Sequence, residues 1–202
     1  MEGLTNSEAQ PKIRAMVGDD ILSVVDIWNR TTIDFKSGDN FASENNAEKG
    51  FFVRELSDAE LKILIESDES ICLIRESKSI VEGFLIAMSL NSWITLHPDW
   101  KETVAYEKES IGNDQNKVVW IYSIYSSGSD QRLAAALQKE LKEKAVSKGF
   151  TYELGQILRT PVRNVRSERF HKALGFSKIG TRQDSHGDQP LIWDLYGREL
   201  GK

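Results

Sequence analysis

The chain has 202 residues, 40% of them hydrophobic and 28% charged, which is typical of a soluble globular protein long enough to bury a core. Its formal net charge of −5 is opposite in sign to the basic excess of most nucleic-acid-binding proteins, so we expect no nucleic-acid partner. One cysteine and three histidines, with no C-x-x-C or His-x-x-x-His pair, exclude a disulfide framework and predict no metal site.

The N-terminal segment 1–11 is polar, and we expect it to be disordered. It lacks the basic start and the apolar run of a signal peptide, and no apolar run in the chain reaches the roughly 18 residues of a membrane span. We therefore expect a cytoplasmic protein with no membrane partner. No linker or repeat interrupts residues 12–202, which we interpret as one domain.

The first predicted elements are a strand and two helices. Residues 12–17 alternate in the manner of a strand, and residues 18–32 repeat apolar side chains at helical spacing. A long polar connection then covers residues 34–50. Ser57 is predicted to cap a short helix that extends to about residue 68.

A hairpin follows this helix. Residues 69–77 and 79–89 read as two strands joined by a short polar turn. Residues 92–117 are less regular, and within them we expect one short helix over residues 100–108.

The second half of the chain alternates strands with helices, which predicts a mixed sheet with helices packed on it. Its longest helix ends at Gly149 and carries one apolar stripe. The stripe consists of Leu133, Leu137, Leu141 and Ala145. The predicted elements are a strand over 118–128, a helix over 130–148, a strand over 151–159, a short helix over 164–174, and two strands over 177–182 and 190–196.

The short helix begins the segment NVRSERFHKALGF, residues 164–176. Helical spacing places Asn164, Ser167 and His171 on one face, and Gly175 provides a left-handed exit. An amphipathic helix with a glycine cap would explain these residues without any function, and this alternative stays open. With the order of elements, however, the segment resembles the GCN5-related N-acetyltransferase (GNAT) superfamily over residues 12–196. The matching positions are Asn164, Ser167, Phe170, Gly175 and Phe176.

The resemblance implies an α+β fold. Its sheet is central, mixed and mostly antiparallel, with one splayed pair of parallel strands and with helices on both faces. We expect residues 119–126 and 152–159 to form that pair, because the long helix between them predicts a crossover connection.

The resemblance also implies an acyl-CoA-dependent N-acyltransferase. Most commonly such a protein moves an acetyl group from acetyl-CoA to a small-molecule amine by direct attack within a ternary complex, without a metal. The implied coenzyme A contacts are Ile124, Tyr125 and Ser126 in the strand, Ser129, Gln131, Arg132, Leu133 and Ala134 at the start of the long helix, and Asn164 and Ser167.

The proton transfers of this reaction require an acid and a base. The family commonly has a tyrosine after the Phe of the motif, which protonates the departing thiolate, and His171 occupies that position here. A thiol has a pKa of about 8.5, so a donor would assist its departure. Packing alone would also explain His171. Tyr122, Glu153 and His186 are the candidate bases for the acceptor amine.

The start of the long helix departs from the family pattern, which has a glycine-rich loop for the pyrophosphate of coenzyme A. One alignment places Ser129, Arg132 and Ala134 at the loop positions, and another places Gln131, Ala134 and Ala136 there. Neither alignment restores the first glycine. Arg132 would either crowd the phosphates or pair with them.

Two further observations leave alternatives open. A basic cluster in an acidic chain could bind the phosphates of coenzyme A or could be a solvated helix face. It consists of Arg159, Arg163, Arg166 and Arg169. The missing glycines favour a catalytically degenerate GNAT-like module that binds or regulates. If the late motif is coincidental, the chain is an unrelated α+β interaction domain. The sequence is compatible with a homodimer.

Overall fold

A computed structural model describes residues 11–33, 50–107, 114–127 and 131–201. Its strands are β1 (Lys12–Ala15), β2 (Ser70–Ser77), β3 (Ile80–Ser89), β4 (Val104–Tyr106), β5 (Val118–Ser126), β6 (Tyr152–Thr160), β7 (Ser177–His186) and β8 (Gln189–Glu199). Its α-helices are α1 (Ile21–Thr31), α2 (Asp58–Glu66), α3 (Leu90–Leu96), α4 (Trp100–Thr103), α5 (Gln131–Ser147) and α6 (Val165–Ala173). The expected disorder of the N-terminus and the predicted polar connection after residue 33 fall almost entirely outside the described residues.

The eight strands form one sheet in the order β1-β2-β3-β5-β6-β8-β7-β4. Every pair of neighbouring strands is antiparallel except β5 and β6, which are parallel and are connected through α5. The parallel pairing ends where Ile121 faces Gly155. Since β5 continues to Ser126 and β6 to Thr160, the two strands diverge toward their carboxyl ends. This arrangement confirms the predicted mixed sheet with one splayed parallel pair.

Helices cover both faces of the sheet, as predicted. Helices α1, α2 and α3 pack on one face, where Trp28 and Trp93 contact a core that contains Phe84 and Trp120. Helix α5 packs on the opposite face. The alternation of side chains along each strand supplies both cores, because successive residues point to opposite faces.

The apolar stripe of α5 holds this helix on the sheet. Leu137, Leu141 and Ala145 are completely buried against Leu85 and Val119. Full burial of a leucine side chain stabilises a fold by about 1.5–3 kcal/mol, so the two leucines alone fix the helix firmly. The helix that connects β5 to β6 is therefore a rigid wall beside the point where they diverge.

The structure contains a strand and a helix that the sequence did not predict. Helix α3 begins directly after β3, and the Ser89 side chain caps it by accepting a hydrogen bond from the Ser92 amide. The helix expected over residues 100–108 is only the short α4, and β4 follows it. Strand β4 has three residues and pairs with β7 at the edge of the sheet. So short a strand gives no periodic signal. Within the described part of the chain, no helix is long and apolar enough to span a membrane.

Candidate active site

A cavity of about 950 Å³ lies where β5 and β6 diverge. On the α5 face of the sheet it is lined by Ile157 and by His171, which contacts Phe176 of the same core. On the opposite face it is lined by Trp28 and Trp93. Because these two groups of residues belong to opposite faces of the sheet, the cavity passes through the gap between the strands.

The end of the cavity beside α5 and α6, here called the helix end, contains most of the expected coenzyme A contacts. Its lining includes Ile124, Ser126, Gln131, Ala134, Asn164 and Ser167, whereas Tyr125 also lines the cavity but its ring stacks on Phe84 of the opposite face. Arg132 and Leu133 are not in the lining, and Ser129 lies outside the described residues. The first turn of α5 therefore reaches the cavity through Gln131 and Ala134, whereas Arg132 is exposed on the helix surface.

The backbone of β5 at the helix end has one edge that no described strand covers. Strand β5 pairs with β3 as far as Ser126, but with β6 only as far as Ile121. The backbone groups that face β6 beyond this point are directed into the gap. An extended molecule with amide groups could add to this edge as a strand does.

Asn164 caps α6, and only 8% of this residue is exposed. Its Oδ1 accepts a hydrogen bond from the Ser167 amide at 3.0 Å, and its Nδ2 donates to the Phe51 carbonyl at 3.5 Å. The side chain therefore orders the start of the helix and holds the segment after residue 50 against it.

His171 lines the gap itself, with its Nε2 atom 3.6 Å from the position that a Cβ atom on Gly155 would occupy. Its Nδ1 lies 2.8 Å from the Ser167 carbonyl oxygen, which can only accept, so Nδ1 carries the proton. Burial lowers the pKa of His171 to about 4. At neutral pH the imidazole is neutral and Nε2 has no proton. This geometry favours Nε2 as an acceptor, and the donor role that the resemblance implies for His171 stays a prediction.

Tyr122 follows Ile121 directly and occupies a bulge in β5. Residues Ile121 and Ser123 pair with consecutive residues of β3, which leaves Tyr122 without a partner across the ladder. Its ring lies 5.4 Å from Trp28 and 5.3 Å from Trp93. Burial raises the pKa of Tyr122 to about 12, so the phenol keeps its proton at neutral pH. It can donate that proton, but it is not suited to the role of base.

Two other candidate bases lie away from the cavity. Glu153 is completely buried, and its Oε2 accepts a hydrogen bond from Arg198 Nε at 2.6 Å. Burial raises the pKa of Glu153 despite this ion pair. Glu153 is not in the cavity lining, and its role as a base stays a prediction. His186 lies at the turn between β7 and β8, also outside the lining.

The predicted basic cluster is divided among different partners. Arg163 and Lys172 both bind Glu168, at 2.7 and 2.6 Å, and hold the pKa of this carboxyl at about 2. Arg159 pairs with Asp194. Of the four arginines, Arg166 lines the cavity. Two of the four arginines, Arg159 and Arg163, therefore form ion pairs, with Asp194 of β8 and with Glu168 of α6.

The opposite end of the cavity, here called the aromatic end, was not predicted from the sequence. It is lined by Trp28, Phe52, Arg54, Trp93, His97, Tyr122, Arg182 and Asp184. Burial lowers the pKa of His97, and the positive charges of Arg54 and Arg182 lower it further. A neutral imidazole that can accept a proton therefore lies at this end.

Among the described residues, no group of three or more His, Cys, Asp or Glu side chains could hold a metal ion. No protein-family model matches the sequence, and no curated protein is significantly similar to it. Many solved structures share its architecture. An N-acetyltransferase from Staphylococcus aureus Mu50 is 18% identical, with 95% of this chain and 99% of that chain covered and a TM-score of 0.64.

Two further structures have a similar fit. The ribosomal-protein-S18-alanine N-acetyltransferase from Escherichia coli is 10% identical, with 96% of each chain covered and a TM-score of 0.62. A Salmonella typhimurium protein solved with its cofactor acetyl-CoA is 14% identical, with 95% of each chain covered and a TM-score of 0.61. The chain has the GNAT fold. In this GNAT fold, the splayed strands and α6 together form the helix end of the cavity.

Proposed function

We propose that this protein is an N-acetyltransferase that transfers an acetyl group from acetyl-CoA to a small-molecule amine within a ternary complex. The observation that carries the proposal is the course of the cavity, which joins the helix end to the aromatic end through the gap between β5 and β6. A co-substrate with a long arm can enter from one face and present its acyl group to an acceptor on the other. The GNAT fold supports this proposal.

The residues at the helix end fit the pantetheine arm of acetyl-CoA. The uncovered edge of β5 over Ser123–Ser126 offers backbone donors and acceptors to its two amides. Ala134 and Gln131 form the wall on the α5 side, and Ser167 forms part of the wall on the α6 side. The amino end of α5, a helix of 17 residues, favours negative charge, so the phosphates would lie toward it.

When bound, acetyl-CoA supplies a thioester whose carbonyl carbon bonds to the amine nitrogen while its bond to sulfur breaks. His97 removes a proton from the acceptor ammonium, because its imidazole is neutral at neutral pH. Tyr122 donates its phenol proton to the departing sulfur and recovers one from the nitrogen of the new amide. One proton is released to solvent overall. Because Nδ1 of His171 donates to the Ser167 carbonyl, its Nε2 is available as a hydrogen-bond acceptor at the gap.

The activity is tested by release of free thiol from acetyl-CoA in the presence of a panel of small amines. With an accepted amine, Tyr122→Phe should reduce turnover by roughly 10²–10⁴-fold, because it removes a positioned acid, and it should leave the affinity for acetyl-CoA unchanged. Tyr125→Phe is the matched control, since Tyr125 also lines the cavity and stacks on Phe84. Equal losses in both variants would reject the role of Tyr122.

A second candidate function is a catalytically degenerate module that binds acetyl-CoA or regulates. The departure from the glycine-rich loop favours it, because Arg132 occupies the position at which one alignment places the first glycine. Calorimetry separates the two functions. Tight binding of acetyl-CoA without thiol release for any amine in the panel would favour a binding or regulatory module. Absence of binding would reject both functions.

A further inference from the structure

We propose that the acceptor is a free amino acid or a closely related amine that carries both a carboxylate and an aromatic or bulky apolar group. Arg54 binds the carboxylate, and Arg182 positions Asp184 and adds positive charge behind it. This inference rests on the proposed function, because it names the substrate class of the same site.

Arg182 is a buried cation at the aromatic end. Only 4% of its side chain is exposed, and its guanidinium lies 5.1 Å from the centre of the Trp100 ring. Its partners are Thr103 Oγ1 at 3.3 Å, Gln156 Oε1 at 3.4 Å, Asp184 Oδ2 at 3.1 Å and Asp99 Oδ2 at 3.5 Å. Neutral groups and an aromatic ring supply much of this environment. A buried guanidinium so arranged raises the positive potential around it.

Arg54 is the accessible cation of the pair. Its Nη2 lies 2.8 Å from Asp184 Oδ2, the same oxygen that Arg182 contacts, and 44% of its side chain is exposed. Two guanidinium groups therefore share one carboxylate inside the cavity. Asp99, the second carboxylate near Arg182, has 52% of its side chain exposed, so water screens its charge. An incoming carboxylate would give Arg54 a partner that it does not share with Arg182.

The direction of the His97 pKa shift agrees with the position of these two arginines. After burial, the two causes that lower it most are Arg54 and Arg182, ahead of the opposing effects of Asp99 and Asp184. Glu55 and Glu60 also line the cavity. Glu60 Oε2 accepts hydrogen bonds from the Ser57 amide and hydroxyl at the start of α2, so this oxygen belongs to the helix cap.

Aromatic rings form the walls between the gap and the arginines. Trp28 stacks on Phe52 with ring centroids 4.0 Å apart, and Trp93 lies 3.8 Å from the His97 ring. Such walls favour a flat or bulky apolar group on the acceptor. The aromatic end therefore offers an apolar slot with a cationic end, next to the gap at which the acyl group would be presented.

A carboxylate requirement separates a free amino acid from a peptide. The amino-terminal residue of a peptide has an amide where a free amino acid has a carboxylate. A site that selects the carboxylate rejects protein N-termini, and a site that ignores it accepts them.

The test compares matched probes that differ only in this group. N-acetyl-L-phenylalanine and N-acetyl-L-phenylalaninamide are titrated into the full-length protein, with and without coenzyme A, by calorimetry. Neither probe has a titrating amine, so the comparison is independent of amine pKa. We expect the carboxylate to bind roughly 10–100-fold more tightly, the range for a charge-assisted hydrogen bond.

Arg54→Gln should remove this preference. Arg159→Gln is the control, because Arg159 has 41% of its side chain exposed, forms one ion pair with Asp194, and lies outside the cavity lining. Melting curves verify that both variants fold. Equal affinity of the two probes for the wild-type protein, or an unchanged preference in Arg54→Gln, would overturn the inference.

Transfer assays distinguish this outcome from failure of the proposed function. L-phenylalanine, L-phenylalaninamide and 2-phenylethylamine are compared as acceptors with acetyl-CoA. If the carboxylate probe binds and acetyl-CoA does not, carboxylate recognition at the aromatic end stands, but the acetyltransferase proposal fails and the acceptor role fails with it. If L-phenylalaninamide or 2-phenylethylamine is acetylated with the same efficiency as L-phenylalanine, the transferase proposal stands and the acceptor inference fails.

Discussion

His171 and Tyr122 face the gap in the sheet from two different elements, and burial favours the neutral form of each. For the phenol, the neutral form is the proton donor. For the imidazole, the bond from Nδ1 to the Ser167 carbonyl leaves Nε2 as an acceptor. The residue types were predictable from the sequence, but their roles were not, because each role depends on solvent exclusion and on one hydrogen bond.

The burial of His171 should make the stability of the protein depend on pH. Its pKa falls from 6.5 to about 4 on folding, so between these values the unfolded chain binds more protons than the folded one. The contribution of His171 to the free energy of unfolding is fully present above pH 6.5 and is lost as the pH falls toward 4. It amounts to about 3 kcal/mol.

Urea unfolding at pH 7, 5.5 and 4.5 tests this prediction. His171→Gln should lose stability less steeply than the wild type across that range and should retain the part due to His97, whose pKa is also lowered. If the stability of His171→Gln falls with pH as steeply as that of the wild type, the imidazole of His171 is not desolvated in the folded protein.

His97 is the base that we propose at the aromatic end. Replacing it with glutamine should lower kcat/KM by roughly 10²-fold at pH 7. The loss should shrink as the pH approaches the pKa of the acceptor amine, because an amine that is already neutral needs no base. A pH–rate profile with an accepted amine measures this change. A loss of kcat/KM in His97→Gln that stays constant to high pH would instead indicate a structural role. The control is His186→Gln, because His186 lies outside the cavity lining.

At the scale of elements, β4 depends on Gly180 of β7. A Cβ atom there would overlap the carbonyl oxygen of Ala105 and would lie 3.1 Å from the Cα of Tyr106. These are backbone atoms, so the strand would have to move. We expect Gly180→Ala to lower the free energy of unfolding by about 1–3 kcal/mol.

Gly155→Ala is the matched substitution, since the nearest atoms to its Cβ would be His171 Nε2 at 3.6 Å and Ile121 Cβ at 3.7 Å. These distances are ordinary contacts, and the variant should remain within about 1 kcal/mol of the wild type. Chemical denaturation of the two variants gives the comparison. Equal stability would mean that β4 does not depend on close approach to Gly180.

Elements that depend on neighbouring residues were predictable from the sequence. Ser57 and Glu60 form the capping box that starts α2, and Lys78 and Ser79 form the two-residue turn of the β2–β3 hairpin with positive φ angles of 51° and 62°. The apolar spacing of α5 likewise predicts its buried stripe. Strand β4 was missed because its place depends on a glycine some 75 residues later in the chain.

At the scale of the whole molecule, the aromatic end could not be predicted from local spacing. Trp28, Arg54, His97 and Arg182 come from four separate parts of the chain, and only the folded structure brings them together. The helix end was more predictable, because its residues cluster in β5, α5 and α6. The resemblance in one short segment was sufficient to indicate the fold, whereas the acceptor site had no sequence signature.

The proposed function requires that the arm of acetyl-CoA lie in the gap between β5 and β6. Hydrogen–deuterium exchange with and without saturating acetyl-CoA tests it most directly, because the uncovered edge of β5 would gain hydrogen-bond partners. We predict slower exchange in peptides that cover Ile121–Ser126 and the α6 segment 164–171, and unchanged exchange in β1, at the far edge of the sheet. Binding of acetyl-CoA with no slowing of exchange over Ile121–Ser126 would contradict the account.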